Sequence, residues 1–145
     1  MAIDTIVLKL RLDKILELLP HLKEIQKKGK KAYTESRILQ LATERQLQIA
    51  AQAVVDIATH IIAHKNWGAP ESYTEAITLI ATNRVIDTDL AQDLQDLVKL
   101  RNLIVHLNLK IDSGLLYQNL TRYVQSLEAF VASMKQFIKQ NQKKK

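Results

Sequence analysis

Arg101, Asn102 and His106 are the residues whose types and spacing best suit chemistry on an anion. On a helix advancing about 100° per residue, Leu90, Leu94, Leu97, Ile104 and Val105 all lie within about 60° of Arg101. An arginine on an apolar face is almost never fully buried without a partner. A carboxylate, a second subunit or an anionic ligand must therefore meet it. Asn102 and His106, four residues apart, share a neighbouring face. A guanidinium, an amide and an imidazole on one short helical segment form a phosphate-handling set.

Other residues have a structural reading beside a functional one. Arg101 could be half of an ion pair with Glu44 or Asp56. Asp56 and His60 stand four apart on one helix, a spacing that can hold a metal. With no further ligands evident, a hydrogen bond on or between helices is the expected role. Glu44 and Arg45 are read as supports of the fold or of a partner interface, and Trp67 and Tyr73 as packing the connection they occupy. No glycine-rich phosphate loop and no Ser-His-Asp order appears. The absence of cysteine excludes disulfides, thiol catalysis and cysteine-ligated zinc.

The elements that must position this set are helices. The 145 residues are 47% hydrophobic and 25% charged, with three glycines and two prolines. That is enough chain for one folded core and too little punctuation for a multi-stranded sheet. The formal charge of +6 and pI of about 9.6 point to polyanionic partners without establishing one. Lys27, Lys28, Lys30 and Lys31 flank Gly29 at an expected helix end, where lysines complement the helix dipole. Residues 141–145 are expected to form a frayed basic tail. No signal peptide is evident at the N-terminus, and no uninterrupted apolar run reaches the roughly 18 residues that span a membrane. A cytoplasmic protein is expected.

The apolar spacing predicts a first helix over about 4–28, carrying Ile6, Leu8, Leu12, Ile15, Leu16, Leu19, Leu22 and Ile25 inward. Pro20 should kink or divide it, and Gly29 should stop it. A second helix, capped by Thr34 or Ser36, runs to about Lys65. It has one face of Leu47, Ala50, Ala51, Val54, Ala58, Ile61 and Ile62, and another of Arg45, Gln52, Asp56, Thr59 and His60. Ser72 caps a short third helix through Asn83. Asp87 or Thr88 begins a fourth, which carries Arg101. After Asp112-Ser113-Gly114 a final helix over about 115–140 buries Leu116, Leu120, Tyr123, Leu127, Phe130, Val131, Met134 and Ile138. The expected fold is all-α: a single antiparallel bundle of about five helices, one domain over 1–145.

Arg101-Asn102, three further residues and His106 match the hallmark of the HEPN family. Glu44 to Gln48, Val55 to Ile62, Pro70 to Ala76 and Leu97 to Asn102 match its flanking stretches in order. Between Ile38 and Phe130 the chain resembles the small HEPN ribonuclease toxins that pair with a minimal nucleotidyltransferase (MNT) antitoxin, the HepT-like group. One departure stands out. Many antitoxin-paired members carry, two positions after the histidine, a tyrosine that resembles an AMP acceptor; here that position is Asn108. An amide cannot replace a phenol as a nucleotidyl acceptor, and Tyr117 and Tyr123 do not match the position.

The resemblance implies endoribonuclease chemistry with no cofactor and no obligatory metal. Such cleavage removes a proton from a 2′-hydroxyl, stabilises a crowded anionic phosphorus centre and protonates the leaving 5′-oxygen. His106 is the implied general acid/base. Arg101 is the implied phosphate clamp, and Asn102 orients phosphate or ribose. On an ideal α-helix Arg101 and His106 differ by about 140°, so a site composed across a homodimer is expected. The implied partners are RNA (tRNA or mRNA), the cognate MNT antitoxin and a second copy of the chain, with no membrane. The competing reading is a noncatalytic HEPN module that binds an antitoxin, a nucleotide or RNA. A helical scaffold with basic ends is a third.

Overall fold

The structure, a computed structural model, describes residues 3–107 and 111–142. Asp4 opens helix α1 (Thr5–Lys28) by accepting from the backbone N–H of Ile6 and Val7 at 3.0 and 3.3 Å. This satisfies two of the four donors that a helix start leaves unpaired. Pro20 lies inside α1 and does not divide it. Both Pro20 and Leu16, whose carbonyl loses its helical partner, lie on the exposed side, where water can take over the lost bond.

Gly29, at φ 91°, ends α1 in a conformation that disfavours side chains. A short helix α2 (Lys30–Thr34) follows, which the apolar spacing did not predict. It seats Tyr33 in the core, and the Gln40 amide holds it by donating to the carbonyls of Tyr33 and Thr34 at 3.1 and 3.0 Å.

Ser36, rather than Thr34, caps α3 (Arg37–Lys65), which ends on Asn66 in the left-handed region. The expected apolar face of α3 is buried throughout. By length and composition α3 alone among the described helices could cross a bilayer. Its apolar residues are instead buried against α1 and the helices that follow, as expected for the central helix of a bundle. Ser72 caps α4 (Tyr73–Thr82), and Asp87 caps α5 (Thr88–Asn102) by accepting from Leu90 N–H at 2.7 Å. Residues Leu103–Leu107 form a π-helical turn. Asp112 then accepts from Leu115 N–H at 3.0 Å and starts α6 (Ser113–Gln142). Asn141 and Gln142 thus still belong to α6, whereas 143–145 lie outside the described residues.

Six α-helices and one π turn replace the expected five helices, and no strand occurs among the described residues. Four long helices close a ring, with α1 against α3 and α6, and α5 against α3 and α6. Helix α4 leans on α3 and α5. One continuous core, including Leu8, Ile15, Leu94 and Phe130, fills the interior. Ile6 and Leu16, expected to face inward, lie outside it; Ile6 is 69% exposed.

Candidate active site

Arg101 occupies the last turn of α5, half-buried between α3 and the start of α4. Its Nη2 donates to Gln52 Oε1 on α3 at 2.9 Å, and its Nη1 to Asn102 Oδ1 at 3.1 Å. Gln52 Nε2 in turn donates to Asp56 Oδ1 at 2.9 Å, one helical turn along α3. The orientation of the Gln52 amide follows from chemistry. A guanidinium only donates and a carboxylate only accepts, so the oxygen must face Arg101 and the nitrogen Asp56.

Beneath the guanidinium lies the Tyr73 ring, with the guanidinium carbon 5.1 Å from the ring centroid, a cation–π distance. Gln95 of α5 holds the start of α4 in register by donating to the Thr74 carbonyl and the Thr78 hydroxyl at 3.1 and 2.7 Å. This keeps Tyr73 under Arg101.

The alternative ion pair of Arg101 with Glu44 or Asp56 does not form. Glu44 pairs with Arg37 at 3.4 Å, and Asp56 stands one hydrogen bond away from Arg101, beyond Gln52. Among the described residues the Arg101 charge meets two neutral amides and an aromatic face, and its buried Nε has no hydrogen-bond partner. A guanidinium anchored in this way is oriented but not neutralised. That state suits a group that must accept an incoming anion.

His106 sits on the π turn and is exposed, flanked by Val105 and Leu103, themselves 38% and 43% exposed. Ile104, between them, packs partly against the core. The π turn corrects the expected angular separation. An i→i+5 ladder holds more residues per turn than an α-helix, so His106 falls short of the 140° that an ideal α-helix gives from Arg101. Asn102, with Oδ1 committed to Arg101, offers its Nδ2 hydrogens as donors. Asn108 lies outside the described residues. The two later tyrosines are occupied elsewhere. The Tyr117 hydroxyl donates to the Gln26 carbonyl at 2.7 Å, and Tyr123 is buried, which pushes its phenol pKa up.

Asp56 and His60 do not pair with each other. Asp56 accepts from Gln52, and the His60 Nε2 is buried with no hydrogen-bond partner among the described residues. The His60 ring lies 4.2 Å from that of His64, whose Nδ1 donates to the His60 carbonyl at 3.0 Å. Burial lowers the His60 pKa, and the neighbouring His64 adds to the effect. No cluster of three or more metal-ligating side chains occurs among the described residues.

Two residues acquire roles that sequence reasoning did not give them. Gln52 appears there only as part of a polar face, and Tyr73 as packing for a connection. The shared polar face of Gln52 and Asp56 on α3, one turn apart, was the available signal for Gln52.

The chain matches the Ribonuclease HepT-like family over residues 15–134. It is 27% identical over 136 residues to the "tRNA nuclease HepT" of Aphanizomenon flos-aquae, covering 94% of this chain and 92% of that relative. It is 30% identical over 89 residues to the "mRNA nuclease HepT" of Shewanella oneidensis, covering 61% of this chain and 67% of that protein. A solved structure of a tri-AMPylated Shewanella oneidensis HEPN toxin in complex with an MNT antitoxin matches with a TM-score of 0.81 at 23% identity, over 89% of this chain and 96% of that one. That likeness establishes the shared helical fold. With the family match spanning most of the bundle, from α1 into α6, the chain belongs to the Ribonuclease HepT-like family.

Proposed function

We propose that this chain is the endoribonuclease toxin of a type VII-like HEPN–MNT toxin–antitoxin pair, cutting RNA without a metal ion. The observation that carries the reading is the half-buried, un-neutralised Arg101, anchored by Gln52 and Asn102 five residues before an exposed imidazole. Arg101 binds the non-bridging oxygens of the scissile phosphate and stabilises the charge that accumulates as the 2′-oxygen attacks phosphorus. The exposed His106 imidazole takes the 2′-hydroxyl proton as general base. Attack forms the 2′-oxygen–phosphorus bond and breaks the bond to the 5′-oxygen, which leaves as a hydroxyl once protonated. Asn102 Nδ2 orients the phosphate or ribose.

Base and acid must act on opposite sides of phosphorus, so a single imidazole serves both poorly. A homodimer supplies two copies of His106 to one cleft, and the exposed Leu103 and Val105 beside it provide apolar surface for such a contact. The relatives act on tRNA and on mRNA by name; either is a candidate substrate here. The cognate MNT antitoxin is the proposed protein partner, and the cytoplasm the proposed site of action. With Asn108 at the acceptor position, neutralisation by contact rather than by AMP transfer to that residue follows. The whole of 1–145 acts as one domain in this reading.

The test is cleavage of end-labelled total RNA and tRNA by purified protein in excess EDTA, beside a folded His106→Ala chain. Cleavage by the original chain alone is expected. No cleavage by either, with both folded and dimeric, refutes the nuclease reading in favour of a binding module. Equal cleavage by both moves the chemistry away from His106.

A further inference from the structure

We infer that the groove between α1 and α3 is a track for the RNA backbone that leads to Arg101. The inference rests on the ribonuclease reading and names a second substrate-binding surface for it. The groove encloses about 250 Å³, with Arg11 and Lys14 contributed by α1 and Arg45 by α3. All three cations are exposed, and none forms an ion pair among the described residues. Lys23 pairs with Glu128, Arg37 with Glu44, and Arg122 with Asp93 and Asp96, so these acidic partners are drawn to other cations than the three in the groove. Like charges gathered along one cleft between two adjacent helices concentrate a polyanion there.

Gln52 joins this groove to the candidate active site. It lines the groove and also accepts from Arg101 Nη2 at 2.9 Å. From Arg45 to Gln52 the groove follows α3 for seven residues, about 10.5 Å of helix axis. One carboxylate, Asp56, also lines it, and its Oδ1 is held by the Gln52 amide. Three cations against that one carboxylate leave the groove positive.

No aromatic side chain lines the groove, so it offers no stacking platform for bases. Two arginine forks and a lysine read phosphates and carry no sequence information. The track therefore supplies affinity and register, delivering the chain to Arg101 and His106 without selecting its sequence.

The test measures binding of a labelled tRNA transcript to the His106→Ala chain, by fluorescence anisotropy, between about 50 and 200 mM salt. The groove variant carries Arg11→Gln, Lys14→Gln and Arg45→Gln. The control carries Lys27→Gln, Lys28→Gln and Lys31→Gln, which removes equal charge at the far end of α1 and in α2. If two or more phosphate contacts are lost, the slope of log K against log salt flattens by about 1.5–2 in the groove variant, with an affinity loss of roughly 40-fold near 100 mM salt. The control should retain most of the affinity, and in the active chain the groove changes should raise KM with little change in kcat. Equal loss in both variants, no loss in the groove variant, or no binding by the His106→Ala chain itself overturns the inference. Unchanged RNA binding with loss of antitoxin co-purification overturns it too, and reassigns the groove to a protein partner. Failure of the nuclease reading registers separately, as absence of cleavage by the unaltered chain in EDTA.

Discussion

Replacing Gln52 with glutamate tests whether Arg101 must be anchored and also un-neutralised. The substitution keeps the length of the side chain and places a carboxylate oxygen where the amide oxygen now accepts from Nη2 at 2.9 Å. In the same step the donor to Asp56, now at 2.9 Å, becomes an acceptor facing another acceptor.

Two unit charges 4 Å apart at an effective dielectric of about 20 interact by about 4 kcal/mol. Both pairs are half-exposed, which reduces each to about 1 kcal/mol. The new attraction to Arg101 and the new repulsion from Asp56 then nearly cancel. Stability should change by less than about 1 kcal/mol, moving Tm by no more than about 4 °C for a chain of this size. Activity should not be spared. A phosphate must now displace a carboxylate from the guanidinium, and a charge-assisted hydrogen bond worth about 1.5–3 kcal/mol corresponds to a loss of about 10- to 150-fold in kcat/KM.

The assay is steady-state cleavage of a labelled tRNA in EDTA, with thermal melts of the same preparations. Gln52→Met serves as the companion: it removes the anchor without adding charge and should lose activity by a smaller factor. Wild-type cleavage by Gln52→Glu at an intact melting temperature would refute the need for an un-neutralised Arg101. A fully active Gln52→Met beside an inactive Gln52→Glu would refute the anchoring role and leave only a charge effect in the groove.

Two further outcomes follow from the packing. His60, faced by His64, Asp4 and Arg11, has a folded pKa below its unfolded value near 6.5. The unfolded chain therefore binds more protons in that range, so this part of the stability is complete above about pH 6.5 and is lost as pH falls toward the folded pKa. His60→Leu should flatten the fall in Tm between about pH 7.5 and 5.5, and an unchanged profile would contradict the assignment. Leu94, fully buried on α5 about two turns before Arg101, should cost about 2–5 kcal/mol when cut to alanine. Urea denaturation with an unchanged m-value checks this figure, and a loss under 1 kcal/mol would show that the site collapses to fill the space.

The sequence by itself determined the helices other than α2 and the residues worth watching. The apolar positions of α3, α5 and α6 recur with the helical period, and Ser36, Ser72 and Asp87 satisfy the donors that open three of the helices. Periodicity and capping are local properties, so a single chain displays them without reference to its neighbours. The oddity of Arg101 was legible for the same reason: a charge on an apolar face stands out within one helix.

Contacts between helices were decided only in the tertiary structure. Gln52 meets Arg101 across 49 positions of sequence, and Tyr73 comes under the guanidinium because Gln95 holds α4 against α5. Neither α3 nor α4 carries a pattern that specifies its partner, since an amide or a phenol on a half-buried face satisfies many arrangements. The π turn at Leu103–Leu107 was hidden as well. Its five residues fit an α-helix equally well by spacing, and the ladder changes where α5 gives way to the connection toward α6. The charge was written in the sequence, while its anchorage and its lack of a counter-ion are properties of the packed bundle.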